Sequence, residues 1–214
     1  MTIRVKPIFS LFIIISISTQ IISCSWDGPE EKFIPDEKYA SDLIFERAQI
    51  DSFMQFDPYS PFNRKEKVEF SPLKYFEPTT EFIFKSKLFE YDSKDTVDVY
   101  GTKGELRRVV KEGYVELKHK DIIQKLNVYK SFGRNGEVYY SLWFTDKSTG
   151  EETYGVGRYL NFEKAEDEEH IYTIDFNRAY NPYCAYSSSF TCPIPRKEDF
   201  INFKILAGEK NYHK

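Results

Sequence analysis

Histidine and cysteine are scarce in this chain of 214 residues, with three copies of each, and tryptophan and methionine occur twice each. The histidines stand far apart, at positions 119, 170 and 213, and the cysteines at 24, 184 and 192. Zinc wants four nitrogen or sulfur ligands, usually in closely spaced pairs, so this pattern predicts no metal site. The segments GTKGEL and GRNG lack the GxxxxGK[ST] spacing of a phosphate loop and read as turns. Neither a GxSxG elbow nor an HExxH pair occurs, and nothing calls for a cofactor. An excess of basic residues is missing too: 30 Lys and Arg face 34 Asp and Glu, a formal charge of −4. A phosphate backbone is bound by concentrated positive charge, so nucleic acid is excluded as a partner. The basic stretch ELRRVVKEGYVELKHK alternates with apolar residues and reads as a solvated strand face.

Long apolar runs are absent except near the start. There Arg4 and Lys6 precede Ile8 to Ser23, a run too short and too rich in serine to span a bilayer comfortably. The run ends in Ile21-Ile22-Ser23-Cys24, which resembles a bacterial lipobox and implies cleavage before Cys24 and its lipidation. Cleavage would remove two cations and no anion, taking the formal charge from −4 to −6. Each buried acyl methylene contributes about 0.8 kcal/mol, so two or three chains hold a protein on a membrane. The following SWDGPEEKFIPDEK carries five acidic residues and reads as a solvated tether; it resembles the export signal of Bacteroidetes surface lipoproteins. The predicted organisation is a signal peptide at 1–23, an acidic tether at 24–37 and one β-rich domain at 38–214, at the cell envelope on a lipid anchor.

What the chain has in quantity is aromatic: 19 Phe and 16 Tyr. Such residues favour strands and fill cores, and they equally suit a sugar-stacking groove. Residues 37–56 predict a helix, with Tyr39, Leu43, Ile50, Phe53 and Met54 on one stripe, Glu46, Arg47 and Asp51 facing out, and Pro58 and Pro61 ending it. Beyond it the period changes to two, with turn signals every eight to twelve residues. Asn135-Gly136 predicts a type I′ hairpin between QKLNVYKSF and VYYSLWFTD, and DFINFKILAG predicts a last strand. The fold class is mainly β (α+β): a single antiparallel β-barrel or sandwich-like domain with an N-terminal helix.

Three blocks, FTDKSTGEETYGVGRYL (144–160), DFNRAYNPYCAYSSSFTCPIP (175–195) and ILAGEKNY (205–212), resemble the signature blocks of the bacterial domain-of-unknown-function family 1684. SPLKYFEPTTEF and LNVYKSF fall in the expected order upstream, while PIPRKEDF departs from the usual continuation. The resemblance implies a fold family and no activity.

The middle block carries the chemistry. Asp175, Asn177 and Arg178 end a predicted strand, Asn181-Pro182 turns the chain, and Tyr180, Tyr183 and Tyr186 flank the turn. With Arg158, Glu209 and Lys210 from other strand ends, the candidate binding set is Arg158, Asp175, Asn177, Tyr180, Asn181, Tyr183, Cys184, Glu209 and Lys210. Arg158 is expected to offer its planar fork to an anion or to favour a thiolate at Cys184, the candidate nucleophile. Arg158, Asp175, Asn177 and Cys184 are expected to converge, because strands joined by the acidic loop 163–170 can pair. A purely structural role is the alternative: turn-capping by Asp and Asn, an ion pair from Arg158 to Asp175 or Glu209, and tyrosines plugging the barrel end. Export leaves Cys184 and Cys192 as an even pair in an oxidising compartment, where a disulfide closing so short a loop would stabilise by about 2.5 kcal/mol. The family resemblance points the other way, to thiols, because similar chains without an export signal carry the same pair.

Three functions remain open at this level: binding of a small polar ligand or partner at the 175–195 end, cysteine-dependent hydrolysis or acyl transfer at Cys184, or assembly of the envelope.

Overall fold

A computed structural model describes residues 35–133 and 135–213, all within one compact unit. The expected signal segment, Cys24 and most of the tether lie outside the described residues.

The chain enters through helix α1 (Glu37–Phe56), whose first turn is capped by Asp36 accepting from the Tyr39 N–H at 2.7 Å. The strands follow as β1 (Ile83–Ser86), β2 (Phe89–Glu90), β3 (Thr96–Tyr100), β4 (Leu106–His119), β5 (Ile122–Phe132), β6 (Val138–Asp146), β7 (Arg158–Phe162), β8 (Tyr172–Asp175) and β9 (Phe200–Ile201). The main sheet runs β2-β4-β5-β6-β7, with β3 added on β4 and β9 on β6. Its pairs are antiparallel except β6 with β9. Strands β1 and β8 form a separate antiparallel ribbon. Among the described residues no sheet closes into a barrel, and the architecture is sandwich-like.

Alternation along the central strands feeds two cores. Leu126, Val128, Leu142, Phe144, Leu160 and Phe162 join Phe84 and Ile174 of the ribbon in the larger cluster. Their neighbours Tyr129, Trp143 and Tyr159 point the other way, into a second cluster with Val99, Val109 and Cys192. A sheet covered on both faces shows runs of buried residues instead of in-out alternation, which is the pattern from Leu126 to Tyr129. On that second face Asp199 is held by Asn127 at 2.7 Å and the Tyr129 hydroxyl at 2.6 Å, so its burial is matched by donors.

Several expectations are corrected. The helix has the predicted bounds but not the predicted stripe: Leu43 and Met54 are buried, whereas Ile50 and Phe53 are 42% and 38% exposed. Arg47 and Asp51, expected to face solvent, dock the helix instead. Arg47 donates to the carbonyls of Phe76 (2.9 Å) and Asn177 (3.3 Å), and Asp51 accepts the Leu73 N–H at 3.0 Å. The basic stretch expected as a strand face forms β4, with a bulge where the ladder slips between Lys111 and Gly113. The β5–β6 hairpin forms with Gly136 left-handed (φ 84°), yet the Gly133 N–H donates to the Glu137 carbonyl at 2.8 Å, so the loop is longer than the two residues of the expected type I′ turn. The expected last strand shrinks to Phe200–Ile201, because the carbonyls beyond it are taken by a guanidinium described below. No described helix is long and apolar enough to cross a membrane.

Candidate ligand-binding cavity

The 175–195 block does not end a strand pair of β7 with β8. Instead β7 pairs with β6 and β8 with β1, and the block threads between elements. Asp175 caps the single turn of 3-10 helix Phe176–Arg178 by accepting the Asn177 N–H at 3.0 Å. Its second oxygen takes Tyr39 of α1 at 2.7 Å and Arg178, whose other end reaches Glu46 at 2.9 Å. Tyr180 then exchanges backbone hydrogen bonds with Tyr159 at 3.0 and 2.9 Å, and the Ala179 carbonyl accepts the Glu209 N–H at 2.9 Å. Gly208 makes this crossing feasible. Its φ is 74°, and a Cβ there would stand 2.6 Å from the carbonyl oxygens of Phe176 and Ala179.

Between this threaded segment and α1 lies a cavity of about 500 Å³. The helix contributes Leu43, Glu46, Arg47, Ile50 and Met54; the opposite wall holds Tyr75, Asn161, Asn177, Arg178, Ala179, Tyr180 and Tyr183. Glu209 forms its floor and is 1% exposed. Burial pushes the Glu209 carboxyl up to about 7, against the opposing pull of the Asn181 N–H at 2.9 Å, the Tyr186 hydroxyl and the Arg158 charge. The Arg47 guanidinium lies 4.5 Å from the centre of the Tyr75 ring, and burial lowers its pKa. The Tyr180 hydroxyl donates to Asn161 at 2.8 Å. Apolar and aromatic walls around a few fixed polar groups, with one strongly perturbed acid, are the usual make-up of a small-molecule site.

A larger groove of about 890 Å³ lies along the acidic loop, between Lys87, Glu90, Lys164 and Glu169. Its lysines are already committed: Lys87 pairs with Glu169, and Lys164 with Glu90 and Glu112. With Glu166, Asp167 and Glu168 also along it, the groove presents a net acidic surface open to solvent, and it is the weaker candidate.

Of the expected binding set, Asn177, Tyr180, Tyr183 and Glu209 line the cavity. Asn181 stands behind the floor, donating its Nδ2 to the Lys210 carbonyl at 2.8 Å, and Lys210 lies over Phe76 on another surface. Asp175 supports the wall through Tyr39 and Arg178. Arg158 is the clearest correction. It is 1% exposed, pairs with buried Asp146 at 3.0 Å, and donates to the carbonyls of Ile205 (2.8 Å), Ala207 and Glu209 (3.3 Å). No fork remains for a ligand, and its partner is neither Asp175 nor Glu209's carboxylate. Sequence reasoning missed Arg47 and Tyr75, whose only signal is a cation on a helix face that otherwise carries too few apolar residues to dock.

The two thiols occupy a different place. Cys184 sits in the 3-10 turn Tyr183–Ala185, half-buried, and Cys192 is buried against Trp143 and Tyr159. Both are free, and the Cys184 N–H donates to the Cys192 sulfur at 3.3 Å. The Tyr154 hydroxyl lies 3.3 Å from the Cys184 carbonyl and 3.8 Å from its sulfur. Donation from Cys192, with help from Tyr154 and Thr102, brings the Cys184 thiol down to about 6, while the Cys192 thiol is pushed up. Arg158 plays no part in this, contrary to expectation, and does not converge with Cys184. No described histidine is placed as a base: His119 stacks on Phe203, His170 meets Tyr172 and His213 meets Tyr212.

The fold and the site thus define a sandwich-like, helix-strapped domain with an internal cavity and a thiol pair. The family model described as "Protein of unknown function (DUF1684)" matches residues 68–210, and the chain belongs to that family. The match takes in both cysteines and Glu209 but leaves out α1. Among solved structures, the chain is similar to an uncharacterized protein of Haloarcula marismortui determined by solution NMR. The two are 26% identical over 81% of this chain and 95% of the other, with a TM-score of 0.59. No curated protein matches the chain.

Proposed function

We propose that this is a bacterial envelope lipoprotein of the Bacteroidetes type, anchored through lipidated Cys24, that binds a small polar ligand in the cavity beneath α1. The observation that carries the binding reading is the cavity itself: about 500 Å³, walled by Tyr75, Tyr180 and Tyr183, with the buried Glu209 carboxyl as its floor and Arg47 on its helix side. A ligand with a flat or apolar body against the tyrosines and a polar end towards Arg47 and Asn161 suits these walls. The motif expected to carry the site supplies five of the lining residues, from Asn177 to Tyr183.

The test is a thermal-shift screen of the full chain against small polar compounds, repeated on Tyr180→Ala and Arg47→Ala. A true ligand at a hundredfold excess over its dissociation constant adds about 2.7 kcal/mol to wild type. Both variants should lose that gain. A hit that stabilises all three proteins equally would place its site elsewhere. The acyl-transfer reading is weaker, because no histidine among the described residues stands beside Cys184 to act as a general base.

A further inference from the structure

We infer that Cys184 and Cys192 form a redox-convertible dithiol, in which half-buried Cys184 is the attacking sulfur and buried Cys192 resolves it into a disulfide. The inference stands on contact geometry and does not depend on the cavity's ligand. Cys192 places its sulfur 3.3 Å from the Cys184 backbone nitrogen, which donates to it, and Cys184 packs against the cluster that holds Cys192. The two cysteines are free, and the Cys192 sulfur lies against the Cys184 backbone, within reach of a disulfide after a small side-chain rotation.

The surroundings distinguish the two sulfurs. Cys184 sits at the start of a short turn whose backbone is tied by the Ala185 N–H to Pro182 at 2.8 Å. Its sulfur lies 3.8 Å from the Tyr154 hydroxyl, which donates to it and favours the thiolate. Cys192 is fixed more tightly: its N–H donates to the Thr102 hydroxyl at 3.2 Å, and its carbonyl accepts the Thr102 N–H at 3.0 Å. A half-buried thiol with a lowered pKa beside a buried partner is the arrangement of an attacking and a resolving cysteine.

With a hydroperoxide as oxidant the steps balance. The Cys184 thiolate attacks the outer peroxide oxygen, the O–O bond breaks, and the departing alkoxide or hydroxide takes a proton to leave as alcohol or water. Cys184 is then a sulfenic acid. Cys192 attacks that sulfur, its proton leaves with the hydroxyl group as water, and the S–S bond forms. Two thiols have supplied the two electrons that reduced the peroxide. Return to the open form takes a dithiol reductant by exchange.

Trypsin offers a direct readout, since cleavage after Arg178 and Arg196 releases one peptide holding both cysteines and separates them from Cys24. The full chain, reduced, then treated with hydrogen peroxide, should yield this peptide lighter by two hydrogens, closed to iodoacetamide and reopened by dithiothreitol. In Cys192→Ser, Cys184 should stop as a dimedone-reactive sulfenic acid; in Cys184→Ser, Cys192 should stay a thiol over the same time. At pH 7 in wild type, iodoacetamide should label Cys184 at least about tenfold faster than Cys192. A peptide that stays fully alkylatable, or Cys184 over-oxidised without a cross-link, would overturn the inference. So would equal labelling rates. The wild-type peptide decides the matter even if either serine variant fails to fold.

Discussion

Replacing Glu209 by Gln isolates the electrostatic cost of the cavity floor. A carboxyl whose folded pKa is about 7, against an ordinary value near 4.5, holds its proton more tightly in the native state. Stability therefore falls as pH rises from 4.5 through 7 and is flat outside that window. The difference of about 2.5 units corresponds to about 3 kcal/mol at 1.36 kcal/mol per unit. The burial that causes it is nearly complete, so solvent screening does not reduce the figure much. Other acids also titrate: burial raises Asp199 and Asp51, and ion pairs hold Glu90 and Glu198 low. Their contributions cancel when wild type is compared with Glu209→Gln at each pH. Urea unfolding at pH 4.5, 5.5, 6.5 and 7.5 should show wild type losing about 3 kcal/mol relative to the variant across the series. A constant difference between the two proteins would refute the reasoning and mean that Glu209 ionises as an exposed acid does.

Arg158→Ala should destabilise by about 3–5 kcal/mol in chemical unfolding, because it strands Asp146 and the carbonyls of Ile205, Ala207 and Glu209. Lysine should not rescue it, since one ammonium cannot reproduce the fork. Gly208→Ala should cost about 1–3 kcal/mol and loosen the crossing of 179 with 209, read by unfolding and by hydrogen exchange of the Glu209 amide. Metabolic palmitate labelling should vanish in Cys24→Ala; retained labelling would move the anchor elsewhere.

How far the sequence reaches differs by element. Strand positions are readable from apolar and aromatic runs bounded by turn signals, even where both sheet faces are covered, and β6 coincides with the segment VYYSLWFTD. The end of α1 is readable from Pro58. Its docking face is not, because hydrogen bonds from Tyr39, Arg47 and Asp51 replace much of the apolar stripe that periodicity detects. The same reason hides the role of Arg158. Its partners are a distant carboxylate and the backbone of an irregular segment, and backbone carbonyls carry no residue signature. The 175–195 block was recognisable as the place where polar chemistry gathers, but which of its side chains face a cavity depends on a topology in which β7 and β8 belong to different sheets.

The central claim is that the cavity beneath α1 is a binding site, and filling it is the most direct test. Ile50 lines it and is 42% exposed, so Ile50→Trp can occupy the space with little cost to the core. A compound that stabilises wild type in the thermal-shift screen should lose at least about tenfold in affinity towards Ile50→Trp, by calorimetric titration, while the variant melts within a few degrees of wild type. Unchanged affinity in a folded Ile50→Trp protein would contradict the account.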